Sequence, residues 1–238
     1  MENTRRIPIL LIATYVLGDL IGFALAVITT WADVEANFYG FPRRANNALF
    51  GLNCPIIMSA NETGVISIRV SNTTEKPLAP AVKTEISTPA IADSFRESIR
   101  LAPGESKKLE WTVGPGNIDL KYFIFAKVLV YASYPTPDRE ATCGTFIIDL
   151  PISGNAFLVI MVALSMTGMG SVLYSLYRSK TQFPQAANAL PLMMFQAVVI
   201  IIALVVSFIG WWIQAIVALV VALLTIVILP NFLIARQR

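Results

Sequence analysis

Residues 190–235 read LPLMMFQAVVIIIALVVSFIGWWIQAIVALVVALLTIVILPNFLIA, 46 positions without one Asp, Glu, Lys or Arg. A hydrocarbon core of roughly 30 Å is crossed by about 20 helical residues. The run is therefore too long for one span and suits two, with a turn near its middle. Gly210-Trp211-Trp212 supplies that turn: a helix breaker, then two aromatics that favour the headgroup level. Working outward, 152–177 carries no charge and 7–30 carries only Asp19. The expectation is four transmembrane helices, near 7–30, 155–177, 190–209 and 212–234.

Composition agrees. Of 238 residues, 55% are hydrophobic and 14% charged, where a soluble domain carries about 25% charged residues. There is no His, which removes His-ligated haem, zinc or copper and every Ser-His or Cys-His couple. Two Cys are too few for a four-Cys metal site. No Gly-rich phosphate loop, GxSxG or HExxH occurs, and paired carboxylates such as Glu105 and Glu110 read as solvated strand edges. We expect no enzyme, no catalytic residue, no metal and no cofactor.

Orientation follows from Lys and Arg beside the spans. Arg5, Arg6, Arg178, Lys180, Arg236 and Arg238 fall on one side if the helix count is four, against Glu2 alone, a balance of +5. Residues 31–151 hold twelve basic and thirteen acidic residues, net −1. The expected topology is a plasma (inner) membrane protein with cytoplasmic N- and C-termini and 31–153 outside. Three domains result: 1–30, an N-terminus with helix 1; 31–153, an extracytoplasmic domain; and 154–238, helices 2–4 with the C-terminus. The first span could instead be a cleaved signal peptide, with Ala24-Leu25-Ala26 as its cleavage site. Its 24-residue apolar run exceeds an h-region of about 7–15, so an uncleaved anchor is expected. No basic stripe marks the outer segment, and no nucleic-acid partner is expected.

From Asn53 to Leu150 the pattern changes to period two. Ile66, Ile68 and Val70 alternate with Val65, Ser67 and Arg69; Leu109, Trp111 and Val113 alternate with Lys108, Glu110 and Thr112. Such runs recur at 54–59, 64–71, 80–87, 94–101, 107–113, 121–132 and 141–149. Turn signals divide them, including Pro103-Gly104, Gly114-Pro115-Gly116 and Pro135-Thr136-Pro137. Seven short strands at this spacing predict an antiparallel β-sandwich. Cys54 falls on the first and Cys143 on the last. Outside the cytoplasm a disulfide is the natural reading, with two buried thiols as the alternative.

Val70-Ser71-Asn72-Thr73-Thr74, followed by Leu101-Ala102-Pro103-Gly104-Glu105-Ser106-Lys107-Lys108-Leu109, resembles bacterial Ig-like ectodomains of the CARDB type. The resemblance covers 53–150. It implies an Ig-like sandwich that binds proteins or acts as a spacer. The whole-chain expectation is thus an α+β membrane protein, four transmembrane helices with a seven-stranded Ig-like antiparallel β-sandwich inserted between helices 1 and 2.

Asp19 lies at the middle of the first span, where a charge costs at least ~2.5–3.5 kcal/mol. It reads as a packing or inter-subunit hydrogen-bonding group, or else as a proton or ion relay. Beside it runs a ladder of small residues, Thr14, Gly18, Gly22, Ala26 and Thr30; the second span repeats it with Ala163, Thr167, Ser171 and Ser175. Small residues let helix backbones approach closely in lipid. Whether the ladder meets a helix of this chain or of another stays open. The strand 122–131 is apolar on both faces, and Phe123, Phe125, Leu129 and Tyr131 need a cover, either a loop, the membrane surface or a partner. Arg43-Arg44, after the aromatic run Phe38-Tyr39-Gly40-Phe41, reads as an interfacial anchor. Asn61-Glu62-Thr63 and Asn72-Thr73-Thr74 match glycosylation sequons.

Taken together these features predict a non-catalytic subunit that docks in and scaffolds a larger membrane protein assembly through its helices and extracytoplasmic β domain, in contact with membrane lipids and other integral membrane subunits or copies of itself. The alternatives are an adhesion or ligand-binding receptor, and a transporter or channel component using Asp19.

Overall fold

The computed structural model describes residues 8–89, 92–131, 137–179 and 184–234. The chain is α+β and divides into two compact units: Met1–Thr30 with Leu158–Arg238, and Trp31–Phe157.

Four α-helices are present among the described residues: α1 (Ile9–Phe38), α2 (Gly154–Arg178), α3 (Pro184–Phe208) and α4 (Trp212–Ile234). Three are long and apolar enough to cross a membrane: α1, α2 and the Ala189–Phe208 part of α3. Helix α4 carries no charged residue over its 23 positions. The turn between α3 and α4 is made at Gly210, whose φ of +81° is a left-handed conformation that glycine adopts without steric cost. Helix α1 continues eight residues past the expected end at Thr30. The charges Asp33 and Glu35 mark where hydrocarbon should end, but helix formers continue and the first breaker is Gly40. Of the six flanking basic residues, Arg178 closes α2; Arg5, Arg6, Lys180, Arg236 and Arg238, like Glu2, lie outside the described residues.

Among its described residues the second unit holds nine strands: β1 (Asn47–Ala48), β2 (Leu52–Asn53), β3 (Ile57–Ser59), β4 (Gly64–Ser71), β5 (Ala81–Ile86), β6 (Asp93–Ser98), β7 (Ser106–Val113), β8 (Phe123–Tyr131) and β9 (Arg139–Ile148). One sheet runs β1-β9-β8-β5-β6 with β3 also on β9; the other runs β2-β4-β7. This corrects the expected seven strands. The two-residue bridges β1 and β2 are too short for any hydrophobic period to reveal. The arrangement is not purely antiparallel either, since β1 and β3 lie parallel to β9.

The sheets share one core. Ile66, Ile68 and Val70 of β4 and Leu109, Trp111 and Val113 of β7 meet Val82 and Ile86 of β5 and Ile124, Ala126, Val128 and Val130 of β8. Alternation puts those side chains on one face of each strand. Fully burying each aliphatic side chain contributes roughly 1.5–3 kcal/mol, so this core is the main term holding the unit. Cys54 and Cys143 form a disulfide with Cα atoms 6.4 Å apart. Cys143 is on β9, but Cys54 follows β2 and lies outside any strand, because the first long strand expected from 54 begins only at Ile57.

Candidate functional site

Within the helical unit, buried polar side chains converge from three helices. Asp19 on α1 is 5% exposed. The Gln196 amide on α3 donates to its carboxylate, Nε2 lying 3.1 Å from Oδ1 and 3.4 Å from Oδ2. The Thr225 hydroxyl on α4 donates in turn to Gln196 Oε1. Nearby, Tyr15 donates to the Met193 carbonyl at 2.6 Å, and Thr29 donates to Ser207 Oγ at 2.9 Å. An unmet polar group in hydrocarbon costs several kcal/mol. The chain meets the Asp19 requirement from its own helices.

The ladder on α1 is likewise used inside the chain. A Cβ added at Gly18 would lie 3.0 Å from the Met169 nitrogen and from the Ser165 carbonyl oxygen. One added at Gly22 would lie 2.5 Å from Ser165 Oγ and 2.7 Å from Ile200. Ala26 and Thr30 are also buried. The facing residues on α2 are Ser165, Gly168 and Met169, not the anticipated stripe. Ala163, Thr167 and Ser171 are exposed. The seam instead follows Ser165, Met169, Val172 and Leu176, all buried. Larger side chains fill the space beyond the Gly18–Gly168 crossing, which periodicity of small residues alone does not reveal.

In the β unit the outer face of β8 is covered by this chain. From Trp31 onward α1 lies against it: Trp31 packs edge-on to Phe123 with centroids 5.2 Å apart, and Tyr39 lies 4.5 Å from Phe125. Ala32 sits on Gly144, and the Gly144 amide donates to Asp33 Oδ1 at 3.1 Å. Phe123 and Phe125 are therefore buried, and Leu129 farther along the strand is buried as well. They are not a free partner surface, which corrects that expectation. The second apolar face was real, and the cover is the overlooked last turns of α1. Tyr131 is half-buried, and its hydroxyl accepts from Arg44 at 3.3 Å.

Farther along β8 the apolar face gives way to a charge pair. Buried Lys127 donates to the Pro42 carbonyl at 2.6 Å and lies 3.0 Å from Glu140. Glu140 also accepts the amides of Arg44 and Ala45 at 2.9 and 3.0 Å. Burial works against its charged form, but those amides and the Lys127 ammonium outweigh it and hold the carboxyl below the usual range. The segment 42–45 is thereby strapped to the sheet. Arg43 and Arg44 lie toward the Tyr131 end of β8, about 25 Å along the strand from Phe123 at ~3.3 Å per residue.

At the Phe123 end a three-residue turn joins Asp119 to β8. Leu120 and Lys121 have φ of +49° and +69°, left-handed values that cost a non-glycine residue roughly 1–2 kcal/mol each. Asp119 holds the turn. Its backbone exchanges two hydrogen bonds with Phe123, its Oδ1 accepts the Leu120 amide at 2.7 Å, and its Oδ2 accepts the Tyr39 hydroxyl at 2.5 Å. Burial, with the Asp119 carboxylate beside it, pushes the Tyr39 hydroxyl up to about 12. Sequence reasoning missed this turn because it contains no Gly, Asn or Pro.

Of the two sequons, Asn72 is buried and its amide donates to the carbonyls of Lys76, Leu101 and Ala102. It braces a turn, while Asn61 is exposed. Among the described residues no group of three or more Cys, Asp or Glu is placed to hold a metal ion.

No family model matches the chain, and no curated protein matches it. Among solved structures, the CARDB domain of the PF1109 protein from Pyrococcus furiosus, in complex with di-metal ions, is similar at 14% identity and a TM-score of 0.33. That match covers 45% of this chain and 99% of that one. A Bacteroides uniformis beta-glucuronidase is similar at 16% identity and a TM-score of 0.30, over 37% of this chain and 12% of that one. The Pseudomonas fluorescens DNA glycosylase AlkC, bound to DNA, is similar at 12% identity and a TM-score of 0.32, over 51% and 36%. At these TM-scores the likenesses establish no shared family.

Proposed function

We propose that this chain is a non-catalytic integral membrane subunit that docks in and scaffolds a larger membrane protein assembly, with both termini cytoplasmic and 31–153 outside. The flank charge of +5 against −1 supports that orientation. The observation that carries the docking reading is the exposed stripe Ala163, Thr167 and Ser171 on α2. With the α1 ladder consumed internally, this stripe is left open to another subunit. Without a hydrophobic drive between helices in lipid, close backbone approach at small residues and hydroxyl hydrogen bonds supply the association. A transport role would need Asp19 free to exchange a proton or ion, whereas Gln196 engages both of its oxygens.

The test is extraction in a mild detergent followed by native mass measurement. Wild type should run with other membrane chains or copies of itself, above its own 26.0 kDa. Thr167→Leu with Ser171→Leu should leave the chain folded and release it. A lone wild-type chain would defeat the docking reading and put the receptor alternative forward.

A further inference from the structure

Both covalent connections of the β unit to the apolar helices lie at one end of the sandwich. The incoming Trp31 ring packs on Phe123 and lies 6.5 Å from Phe146. The outgoing Gly154 sits so close to Ile57 that an added Cβ would be 2.1 Å from its carbonyl oxygen, and its amide donates to Glu62 at 2.8 Å. Ile57 and Phe146 are paired residues of β3 and β9. Trp31 of α1 and Gly154 of α2 therefore pack against neighbouring strands at the same level.

The same end carries exposed apolar side chains. Leu120 is 56% and Tyr122 54% exposed, with Leu150 at 42% and Ile152 at 39%. Tyr122 stacks on Phe146 at 6.4 Å, which ties the 119–122 turn to the Trp31 cluster. Lys121, also exposed, stands between Leu120 and Tyr122. The left-handed backbone at Leu120 and Lys121 is held in place by Asp119 and Tyr39. Strained non-glycine turns persist where the surroundings over-determine them.

We propose that the 119–122 turn and residues 150–152 form a lipid-contacting rim. Leu120, Tyr122 and Ile152 enter the boundary between headgroups and acyl chains, and Lys121 pairs with lipid phosphate. An aromatic with an apolar neighbour and a lysine suits that layer, where the ring's polar tip and the ammonium stay wet. The occupant is a bilayer because the chain runs from this end directly into two helices long enough to cross one. The inference rests on the membrane reading above. It moves the interfacial anchor from Arg43 and Arg44, which Glu140 and Tyr131 engage at the other end of β8, to the turn at Lys121.

The test uses the full chain in vesicles of phosphatidylcholine and phosphatidylglycerol, with the Cys54–Cys143 bond intact. A nitroxide is attached to one introduced thiol at a time: Leu120→Cys, Tyr122→Cys, Ile152→Cys, Glu75→Cys or Val159→Cys. Glu75 is exposed in the loop after β4, and Val159 is exposed on α2. Collisions with a water-soluble nickel chelate and with oxygen are then compared. Labels at 120, 122 and 152 should be shielded from the chelate several-fold relative to 75, and less than 159. If 159 is shielded while 120, 122 and 152 match 75, the rim is wrong and the membrane reading stands. If 159 is as open to the chelate as 75, the membrane reading falls and the rim with it. Position 152 keeps the outcome readable should the turn variants fail to fold.

Discussion

Gly144→Ala is the sharpest single perturbation of the β unit. A Cβ there would lie 1.9 Å from the Ala32 carbonyl oxygen and 2.3 Å from its carbon. Those atoms are backbone, so no rotamer change relieves the clash, and the last turns of α1 must retreat by about 1 Å or more. A gap of that size forfeits a quarter to a half of the dispersion energy across the seam, where Ala32 and Ala36 meet Phe123 and Phe125. Overpacking of this kind costs about 1–3 kcal/mol. The retreat also stretches the bond from the Gly144 amide to Asp33, and a hydrogen bond to a charged group contributes about 1.5–3 kcal/mol. The total is about 3–6 kcal/mol, a large part of the ~5–15 kcal/mol that stabilises a typical domain. At a few degrees per kcal/mol, the unfolding midpoint should fall by on the order of 10–20 °C. The assay is thermal unfolding of the detergent-solubilised chain followed by tryptophan emission, since Trp31 leaves its contact with Phe123 as α1 lifts. Gly116→Ala is the control, because nothing lies within 4 Å of its added Cβ. A Gly144→Ala midpoint equal to that control would refute the seam.

Further outcomes follow from the ion pair, the disulfide and the helix crossing. Glu140 has its carboxyl held below the usual range, so the stability it contributes is present above about pH 4.3 and is lost as pH falls through its lower folded value; Glu140→Gln should unfold more easily at pH 7 and lack that acid-side loss in a series of melts. Cys54→Ser with Cys143→Ser opens a link across 89 positions and should cost about 4–5 kcal/mol in the chain-entropy description, read as a lower denaturant midpoint. Gly18→Leu should separate α1 from α2 and expose the helical unit to protease while the β unit stays folded. Asp19→Asn, which keeps a polar partner for Gln196, should melt close to wild type, whereas Asp19→Leu should not.

Much of this architecture was legible because it depends on charge and period. The empty stretch 190–235 announced membrane helices, and alternation along β4 and β7 announced a sheet with one buried face. The whole extent of α1 was not legible, since charges locate a bilayer edge and say nothing about where a helix stops; Asp33 and Glu35 sit on helix that packs against protein. The apolar second face of β8 is legible in the sequence; its cover is not, because charged residues at 33 and 35 end the apolar run while the helix goes on. On α1 the small-residue face turned inward. On α2 it did not, since side-chain volume marks a possible contact face and only the packed neighbours decide which face is used. The turn at Leu120 and Lys121 carries no glycine or asparagine, so no local signal could announce it.

On the proposed reading, the exposed stripe on α2, rather than the buried ladder on α1, joins this chain to its assembly. The direct measurement is the native mass of chains extracted side by side from the same membranes, wild type against Thr167→Leu with Ser171→Leu. Wild type should run in a particle well above 26.0 kDa, and the double variant, folded and with unchanged melting, in a smaller one. Equal particles for the two would contradict it.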